Sequence, residues 1–159
     1  MSAAVALGNR TGILGVGYEG RSLDEFVTSL VNQGVTRLVD VRMTPISRKR
    51  GFSKSALGQA LAAQGIAYEH RRELGNPKEN RPGFGGTPEE LQSARAVYAS
   101  RLYRTESLAA LDTLAEAARH ELVALLCFEA DESRCHRQVV MRALEDRMPI
   151  VSASTRPAH

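Results

Sequence analysis

The sequence predicts an α/β fold: a single domain built on an open, mostly parallel sheet of about four to five strands, with helices on both faces in a three-layer sandwich. Short apolar segments alternate along the chain with segments of helical periodicity. Residues 122–128 (LVALLCF) are apolar throughout, which is typical of a strand covered on both faces. A length of 159 residues fits one domain. We therefore expect residues 1–159 to form one unit, with loose tails at about 1–10 and 152–159.

The first half of the chain contains three predicted strands and two helices. Residues 11–16 form the first strand, and Ser22 with Glu25 makes a capping box for a helix that ends at Gly34. Residues 35–41, rich in β-branched side chains, form the second strand. A helix over 53–64 and a third strand over 66–70 follow.

The second half begins with a long loop. Residues 75–87 (GNPKENRPGFGGT) are rich in turn residues, which favours a lid or binding loop. Thr87 and Glu90 cap a helix over 88–102, and a second helix covers 106–120. The strand at 122–128 then leads to a helix at about 133–147. Ile150 and Val151 are candidates for a last short strand.

Composition and charge favour a soluble, cytoplasmic protein. The chain is 43% hydrophobic and 25% charged, and no apolar run approaches the ~18 residues of a membrane span. Its first ten residues lack the pattern of a secretory signal, and its two cysteines are expected to be reduced. The net charge is +3, but residues 42–50 hold four cations and no acid. This uneven distribution predicts a local anion site.

Ligands of parallel sheets bind beyond the carboxyl ends of the strands. In the predicted sheet, that edge holds residues 17–22, 42–51, 70–75 and 129–137. A site formed by these four segments is therefore expected there.

The segment 127–137 (CFEADESRCHR) is the most informative of the chain. Cys135, His136 and Arg137 are expected in the first helical turn, where the helix dipole disfavours cations. A bound anion would resolve this conflict, and the same surroundings would favour a Cys135 thiolate. Cys127 is more simply explained as core packing, whereas packing and a site role both stay open for Cys135.

A metal site is not expected in this segment. The residue types of Cys127, Glu129, Cys135 and His136 suit zinc, but their spacing matches no common pattern of paired ligands. Adjacent Cys135 and His136 would also point in different directions on a helix. The sequence predicts neither a metal nor another cofactor.

The segment 15–22 (GVGYEGRS) matches the glycine pattern of dinucleotide sites, but its context does not fit. The helix cap at Ser22 follows the third glycine, Glu19 would repel a pyrophosphate, and an ion pair with Arg42 explains Asp40. We interpret the segment as a tight turn that presents Tyr18, Glu19 and Arg21 to a site made by other loops.

Four segments of the chain, GYEGRSLDEF, LVDVRMTPISRKRGFS, IAYEHRRELG and LLCFEADESRCHR, resemble a family of mostly bacterial proteins defined by domain of unknown function 488. The resemblance covers nearly the whole chain and departs at Phe128 and Asn76, where small residues and glycine are common. It implies an α/β fold and supports treating the four segments as one site, but it supplies no reaction.

The first hypothesis is an enzyme acting on an anionic, phosphate-bearing substrate, such as a nucleotide or a nucleic-acid end. The alternatives are a non-catalytic nucleic-acid or nucleotide binding module and a thiol redox or metal-regulated protein. The expected catalytic residues are Glu19, Glu129, Cys135 and His136. The expected substrate contacts are Tyr18, Arg21, Arg42, Ser47, Arg48, Tyr68, His70 and Arg137. The expected partner is a small anionic or nucleotide-like ligand; nucleic acid is a further candidate, and no membrane is involved.

Overall fold

A computed structural model of the protein describes residues 10–147. Within this range, four parallel strands form one sheet in the order β1-β4-β2-β3. The strands are β1 (Gly12–Gly17), β2 (Arg37–Asp40), β3 (Ala67–His70) and β4 (Leu122–Cys127). The α/β class and the parallel sheet predicted from the sequence are confirmed. The suggested last strand at Ile150 and Val151 lies outside the described residues.

Five α-helices connect and cover the strands in this part of the chain. They are α1 (Leu23–Gln33), α2 (Lys54–Ala62), α3 (Pro88–Arg101), α4 (Thr105–Ala118) and α5 (Arg137–Glu145). Short 3-10 turns occupy Arg72–Leu74, Lys78–Asn80, Pro82–Gly85 and Glu132–Arg134. Both predicted capping boxes are present, at Ser22 with Glu25 and at Thr87 with Glu90. None of the helices between residues 10 and 147 combines the length and apolar character needed to cross a membrane.

Two hydrophobic clusters lie on opposite faces of the sheet. Along β4, Leu122, Ala124 and Leu126 pack in the cluster that contains the apolar side chains of α1 and α2. Val123 and Leu125 pack in the other cluster, with the apolar side chains of α3, α4 and α5. Alternate residues of a strand point to opposite faces, so the continuous apolar run of β4 serves both layers.

The last helix begins later than predicted. Residues 132–134 form a 3-10 turn in which the Asp131 side chain accepts from the Ser133 backbone N–H. Cys135 then has extended backbone (φ −138°, ψ 144°), and α5 begins only at Arg137. The prediction of a helix from residue 133 was wrong because this local side-chain bond favours a turn over a helix. Cys135 and His136 therefore precede the helix.

The order of the strands places an opening at the carboxyl end of β4. The loops that leave β1 and β2 lead to α1 and α2 on one face, whereas the loop that leaves β4 leads to α5 on the other face. Because β4 lies between β1 and β2, neighbouring loops diverge above it. Such divergence is the geometry that creates ligand crevices in parallel sheets.

Candidate functional site

A cavity of about 280 Å³ lies at the carboxyl edge of the sheet. Its polar lining combines guanidinium groups with a compact set of thiols, an imidazole and a carboxylate. Among its lining residues are Tyr18, Arg42, Asn76, Arg81, Phe84, Cys127, Phe128, Glu129, Arg134, Cys135 and His136. The cavity thus brings together the segments that follow β1, β2 and β4 with the predicted loop at 75–87.

Cys127, Cys135 and His136 form a buried cluster within this cavity. The distance from His136 Nδ1 to each of the two sulfurs is 3.8 Å. All three potential ligand atoms lie within 4.8 Å of one another. The extended backbone at Cys135 turns its side chain toward that of His136, so the objection that adjacent residues on a helix diverge does not apply here.

The orientation of the His136 ring is fixed by the backbone of β2. His136 Nε2 lies 2.8 Å from the carbonyl oxygen of Val41, and only a protonated nitrogen bonds favourably to a carbonyl oxygen. In the neutral imidazole the proton therefore resides on Nε2, and Nδ1 presents its lone pair to the two sulfurs. The ring also packs edge-on against Tyr98, with ring centroids 4.9 Å apart.

The thiol of Cys127 is held in its protonated form. A hydrogen bond with Cys135, followed by burial, raises the pKa of Cys127 well above its ordinary value, and His136 opposes this only in part. The Cys127 thiol donates to Glu129 Oε1 at 3.2 Å. Cys135 Sγ accepts from the Arg137 backbone N–H at 3.3 Å and is 2% exposed. Both sulfurs therefore take part in hydrogen bonds inside the protein.

Asp40 and Arg42 form a second buried polar group beside the cavity. Arg42 donates to both carboxylate oxygens of Asp40, with distances of 2.8 Å from Nε and 2.6 Å from Nη2. Arg42 Nη1 also donates to the carbonyl of Phe52 and the hydroxyl of Tyr18, and Tyr68 donates to Asp40 at 2.6 Å. The predicted ion pair is present, so Asp40 has a structural explanation that needs no ribose.

Charges in this second group stabilise one another. Burial lowers the pKa of Arg42, but the Asp40 carboxylate more than offsets this effect and leaves the pKa above its ordinary value. Burial and the hydrogen bond to Asp40 raise the pKa of Tyr68. Arg42 therefore remains charged, and that charge is balanced by Asp40.

Arg137 is buried beneath the site, with 1% of the side chain exposed. Its Nη1 donates to the carbonyls of Val16 (2.9 Å) and Glu129 (2.8 Å), and its Nη2 lies 3.5 Å from that of Ala130. Backbone carbonyls and the Glu132 carboxylate, whose Oε2 lies 3.4 Å from Arg137 Nε, thus surround the cation that the sequence places next to a helix start. The guanidinium ties the end of β1 to the loop that carries Glu129.

Glu19 and Gly17 also position this loop. The exposed Glu19 accepts from the Ala130 backbone N–H at 3.1 Å, and the backbone of Glu129 lies so close to Gly17 that a Cβ there would overlap its carbonyl oxygen. The glycine-rich turn therefore allows the loop after β4 to approach β1. Tyr18 reaches the cavity from this turn, where its ring stacks on Phe52.

The other predicted substrate contacts do not line the cavity. Arg21 and Arg48 are exposed, and Ser47 accepts from the Lys49 backbone N–H within its own loop. His70 Nε2 bonds the carbonyl of Arg42 at 2.7 Å. Of the predicted residues, the cavity brings together Tyr18, Arg42, Glu129, Cys135 and His136.

Nine lining residues were not predicted as site residues: Met43, Thr44, Ile46, Asn76, Arg81, Phe84, Cys127, Phe128 and Arg134. Three of them come from the turn-rich segment 75–87, whose composition indicated a binding loop without naming its contacts. Arg134 donates to the carbonyls of Phe84 (3.2 Å) and Gly86 (3.0 Å), and so attaches this segment to the loop after β4. The role of Arg134 could not be predicted from the sequence without knowing these long-range contacts.

Comparisons with known proteins identify the family. No curated protein and no solved structure matches the chain. The family model described as domain of unknown function DUF488 matches residues 22–144. This range includes the strands β2, β3 and β4 and every residue of the thiol and imidazole cluster. With more than half of its length matched by that model, the chain belongs to the DUF488 family.

Proposed function

We propose that the protein is an enzyme that acts on a small phosphate-bearing substrate bound in the cavity at the carboxyl end of β4. The observation that supports this proposal is the convergence of a carboxylate, Glu129, with two exposed guanidinium groups, Arg81 and Arg134, around one cavity. Guanidinium groups bind phosphate oxygens through paired, charge-assisted hydrogen bonds. A carboxylate beside them supplies the proton acceptor that hydrolysis or group transfer requires.

Arg81 and Arg134, rather than Arg42, provide the charge for an anion. The Arg42 guanidinium already contacts Asp40, Tyr18 and the Phe52 carbonyl, so its attraction for a further anion is largely neutralised. Arg81 and Arg134 bond only backbone carbonyls through their side chains within the described part of the chain. They retain a net positive charge at the opening.

Glu129 is the best placed group for proton transfer. Its Oε1 accepts from the Cys127 thiol, and no donor among residues 10–147 is found on its Oε2. His136 has Nε2 on a backbone carbonyl and Nδ1 between two sulfurs, so it is less free to exchange protons with a ligand. Glu19 bonds the Ala130 backbone and does not line the cavity.

The size of the cavity favours a small ligand over a polynucleotide. Its volume of about 280 Å³ is near the lower end of the ~300–1,000 Å³ typical of small-molecule sites. A nucleoside monophosphate or sugar phosphate places one phosphate at Arg81 and Arg134 and the remainder in the cavity. A nucleic-acid end enters only through its terminal nucleotide.

The test measures binding and turnover of nucleoside monophosphates and sugar phosphates, with the matching nucleosides and sugars as uncharged controls. Loss of a charge-assisted hydrogen bond in Arg134→Ala or Arg81→Ala should weaken phosphate binding about 10- to 100-fold, whereas Arg119→Ala, an exposed arginine on the end of α4, should not. Glu129→Gln should lower kcat by about 10²- to 10⁴-fold with little change in KM.

Two results would contradict this proposal. Equal affinity for charged and uncharged ligands would remove the argument for a phosphate site. Salt-sensitive binding of polynucleotides that is indifferent to Glu129→Gln would instead support the non-catalytic nucleic-acid binding module.

A further inference from the structure

We propose that Cys127, Cys135 and His136 bind a zinc ion, with a fourth coordination position open to the cavity. The three side chains belong to the residue types that bind zinc through sulfur and nitrogen. They are buried at one point where the end of β4 meets the start of α5. The ion itself is inferred independently of the proposed enzymatic function.

The distances fit a tetrahedral ion. With Zn–S bonds of about 2.3 Å and Zn–N bonds of about 2.0–2.1 Å, two ligand atoms on one ion lie about 3.5–3.8 Å apart. His136 Nδ1 lies 3.8 Å from each sulfur, and the two sulfurs lie within 4.8 Å of each other. An ion among the three atoms therefore requires a side-chain shift of about 1 Å or less.

The groups around the cluster provide a second, independent indication. Metal-binding imidazoles usually donate their other N–H to a carboxylate or backbone carbonyl, which fixes the tautomer and aims the lone pair. His136 does this through Nε2 and Val41 O at 2.8 Å. The backbone N–H of Arg137 donates to Cys135 Sγ at 3.3 Å, a hydrogen bond that orients this sulfur as the outer partners of metal ligands do.

Glu129 is adjacent to the cluster but is not one of its mutually close atoms. Its Oε1 lies 3.2 Å from Cys127 Sγ, yet the described atoms that lie within 4.8 Å of one another come from Cys127, Cys135 and His136. Three protein ligands with one position left for water are typical of catalytic zinc, whereas structural zinc has four protein ligands. The arrangement therefore favours the catalytic type.

The position of Glu129 suggests what the ion does, and this step rests on the proposed function. A water on the open position loses a proton to Glu129, and the resulting hydroxide attacks the electrophilic atom of the substrate. The bond from that atom to its leaving group breaks, and Glu129 returns the proton to the leaving group. The net reaction is hydrolysis, and no oxidant or reductant is consumed.

The first experiment measures metal binding to the reduced, full-length protein. Zinc content is determined after purification, and metal-free protein is titrated with Co²⁺ and followed by absorption. We expect one ion per chain, thiolate-to-cobalt charge-transfer absorption and the strong d–d bands of tetrahedral cobalt. Azide should shift the d–d bands if a coordination position is open. Failure of the wild-type protein to take up either ion, or a Cys127–Cys135 disulfide under reducing conditions, would overturn the proposal.

Matched variants then assign the ligands. Cys127→Ser, Cys135→Ser and His136→Ala should each weaken zinc binding by more than the 10- to 100-fold loss expected for an outer-shell partner, so by more than about 100-fold. His120→Ala, whose side chain is 72% exposed, should bind zinc like the wild type. Because the wild-type titration needs no variant, a variant that fails to fold does not weaken the test.

The variant Glu129→Gln distinguishes metal binding from the proposed catalytic role of the metal. The variant should keep its metal and its azide response but lose turnover. Loss of the metal would show that Glu129 is a fourth ligand and would overturn the open position. Metal binding without any turnover of phosphate compounds by the wild type would refute the proposed function and leave the zinc site intact.

Discussion

Two buried polar groups lie side by side at the carboxyl edge of the sheet, and they differ in how completely they are satisfied. The Asp40 carboxylate accepts from Arg42 Nε, Arg42 Nη2, the Arg42 backbone N–H and the Tyr68 hydroxyl, at distances between 2.6 and 3.1 Å. In the other group, formed by Cys127, Cys135 and His136, the imidazole Nδ1 lies 3.8 Å from each of the two sulfurs, and the contacts of the sulfurs are weak hydrogen bonds.

This difference indicates that the Asp40 and Arg42 pair stabilises the fold, whereas the cysteine and histidine cluster is the better candidate for a chemical role. Buried ions are tolerated when strong partners satisfy them, as the Asp40 pair is. The two sulfurs and the imidazole nitrogen gain only weak hydrogen bonds from one another, whereas a bound cation would coordinate all three. Both groups lie at the carboxyl edge of the sheet, but among the described residues the potential ligands of the cation that we propose are Cys127, Cys135 and His136. A position at the sheet edge is therefore insufficient evidence for a functional role.

Asp40→Asn tests whether the ion pair with Arg42 stabilises the fold. The substitution leaves the buried Arg42 cation without its counter-charge, so the free energy of unfolding should fall by about 3–5 kcal/mol. Urea denaturation of the metal-free protein measures the change. Asp112→Asn removes the partner of Arg147 on the surface, where Asp112 is 73% exposed, and should have almost no effect. Similar effects of both variants would show that Asp40 is not structural.

Zinc should produce the next largest effect, and in the other group. At a free zinc concentration 100 times the Kd, binding to the native state should raise the free energy of unfolding by about 2.7 kcal/mol. The same zinc concentration should raise the free energy of unfolding of Cys135→Ser by less than about 0.4 kcal/mol, because its Kd is more than about 100-fold higher. A chelator should reverse the gain in the wild type. Paired denaturation curves with zinc and with chelator measure both. An equal gain in Cys135→Ser would place the ion elsewhere.

The sequence predicts the fold well because its signals are local. The capping boxes at Ser22 and Thr87 and the apolar run of β4 act within a few residues of their own elements. Local signals also predicted the wrong start for α5. The hydrogen bond of the Asp131 side chain and the extended backbone at Cys135 end the helical pattern that the residue types indicate. That error supplied one of the two arguments against a metal site at Cys135 and His136; the other, the spacing of the residues, does not depend on the helix start.

The site is harder to predict because its contacts are long-range. Nothing near His136 in the sequence indicates that Val41, 95 residues away, fixes its tautomer. Arg137 and Arg42 have the residue type of anion ligands, yet carbonyls of Val16 and Phe52 occupy their guanidinium groups. Residue type indicates what a side chain is able to bind, whereas the packing of distant segments decides which partner it meets.

The hydrogen bond from Tyr68 to Asp40 should contribute less to stability than the ion pair of Asp40 with Arg42. Tyr68→Phe removes one hydrogen bond to the Asp40 carboxylate and should lower the free energy of unfolding by about 1.5–3 kcal/mol at neutral pH. Tyr103→Phe, at a tyrosine that is 79% exposed, is the matched control and should have no effect. Urea denaturation at pH 7 compares the two variants with the wild type.

The same variant tests the origin of the effect through pH. Because burial and Asp40 raise the pKa of Tyr68, the folded chain keeps a proton that the unfolded chain loses above about pH 10. The free energy of unfolding of the wild type should therefore fall as the pH rises beyond about 10. The difference in this free energy between the wild type and Tyr68→Phe should become smaller. Burial also raises the pKa of Tyr98, but that residue is present in both proteins and its contribution cancels in the comparison. A gap that stays constant up to pH ~11 would mean that the Tyr68 hydroxyl titrates as it does in the unfolded chain, and that its bond to Asp40 contributes little to stability.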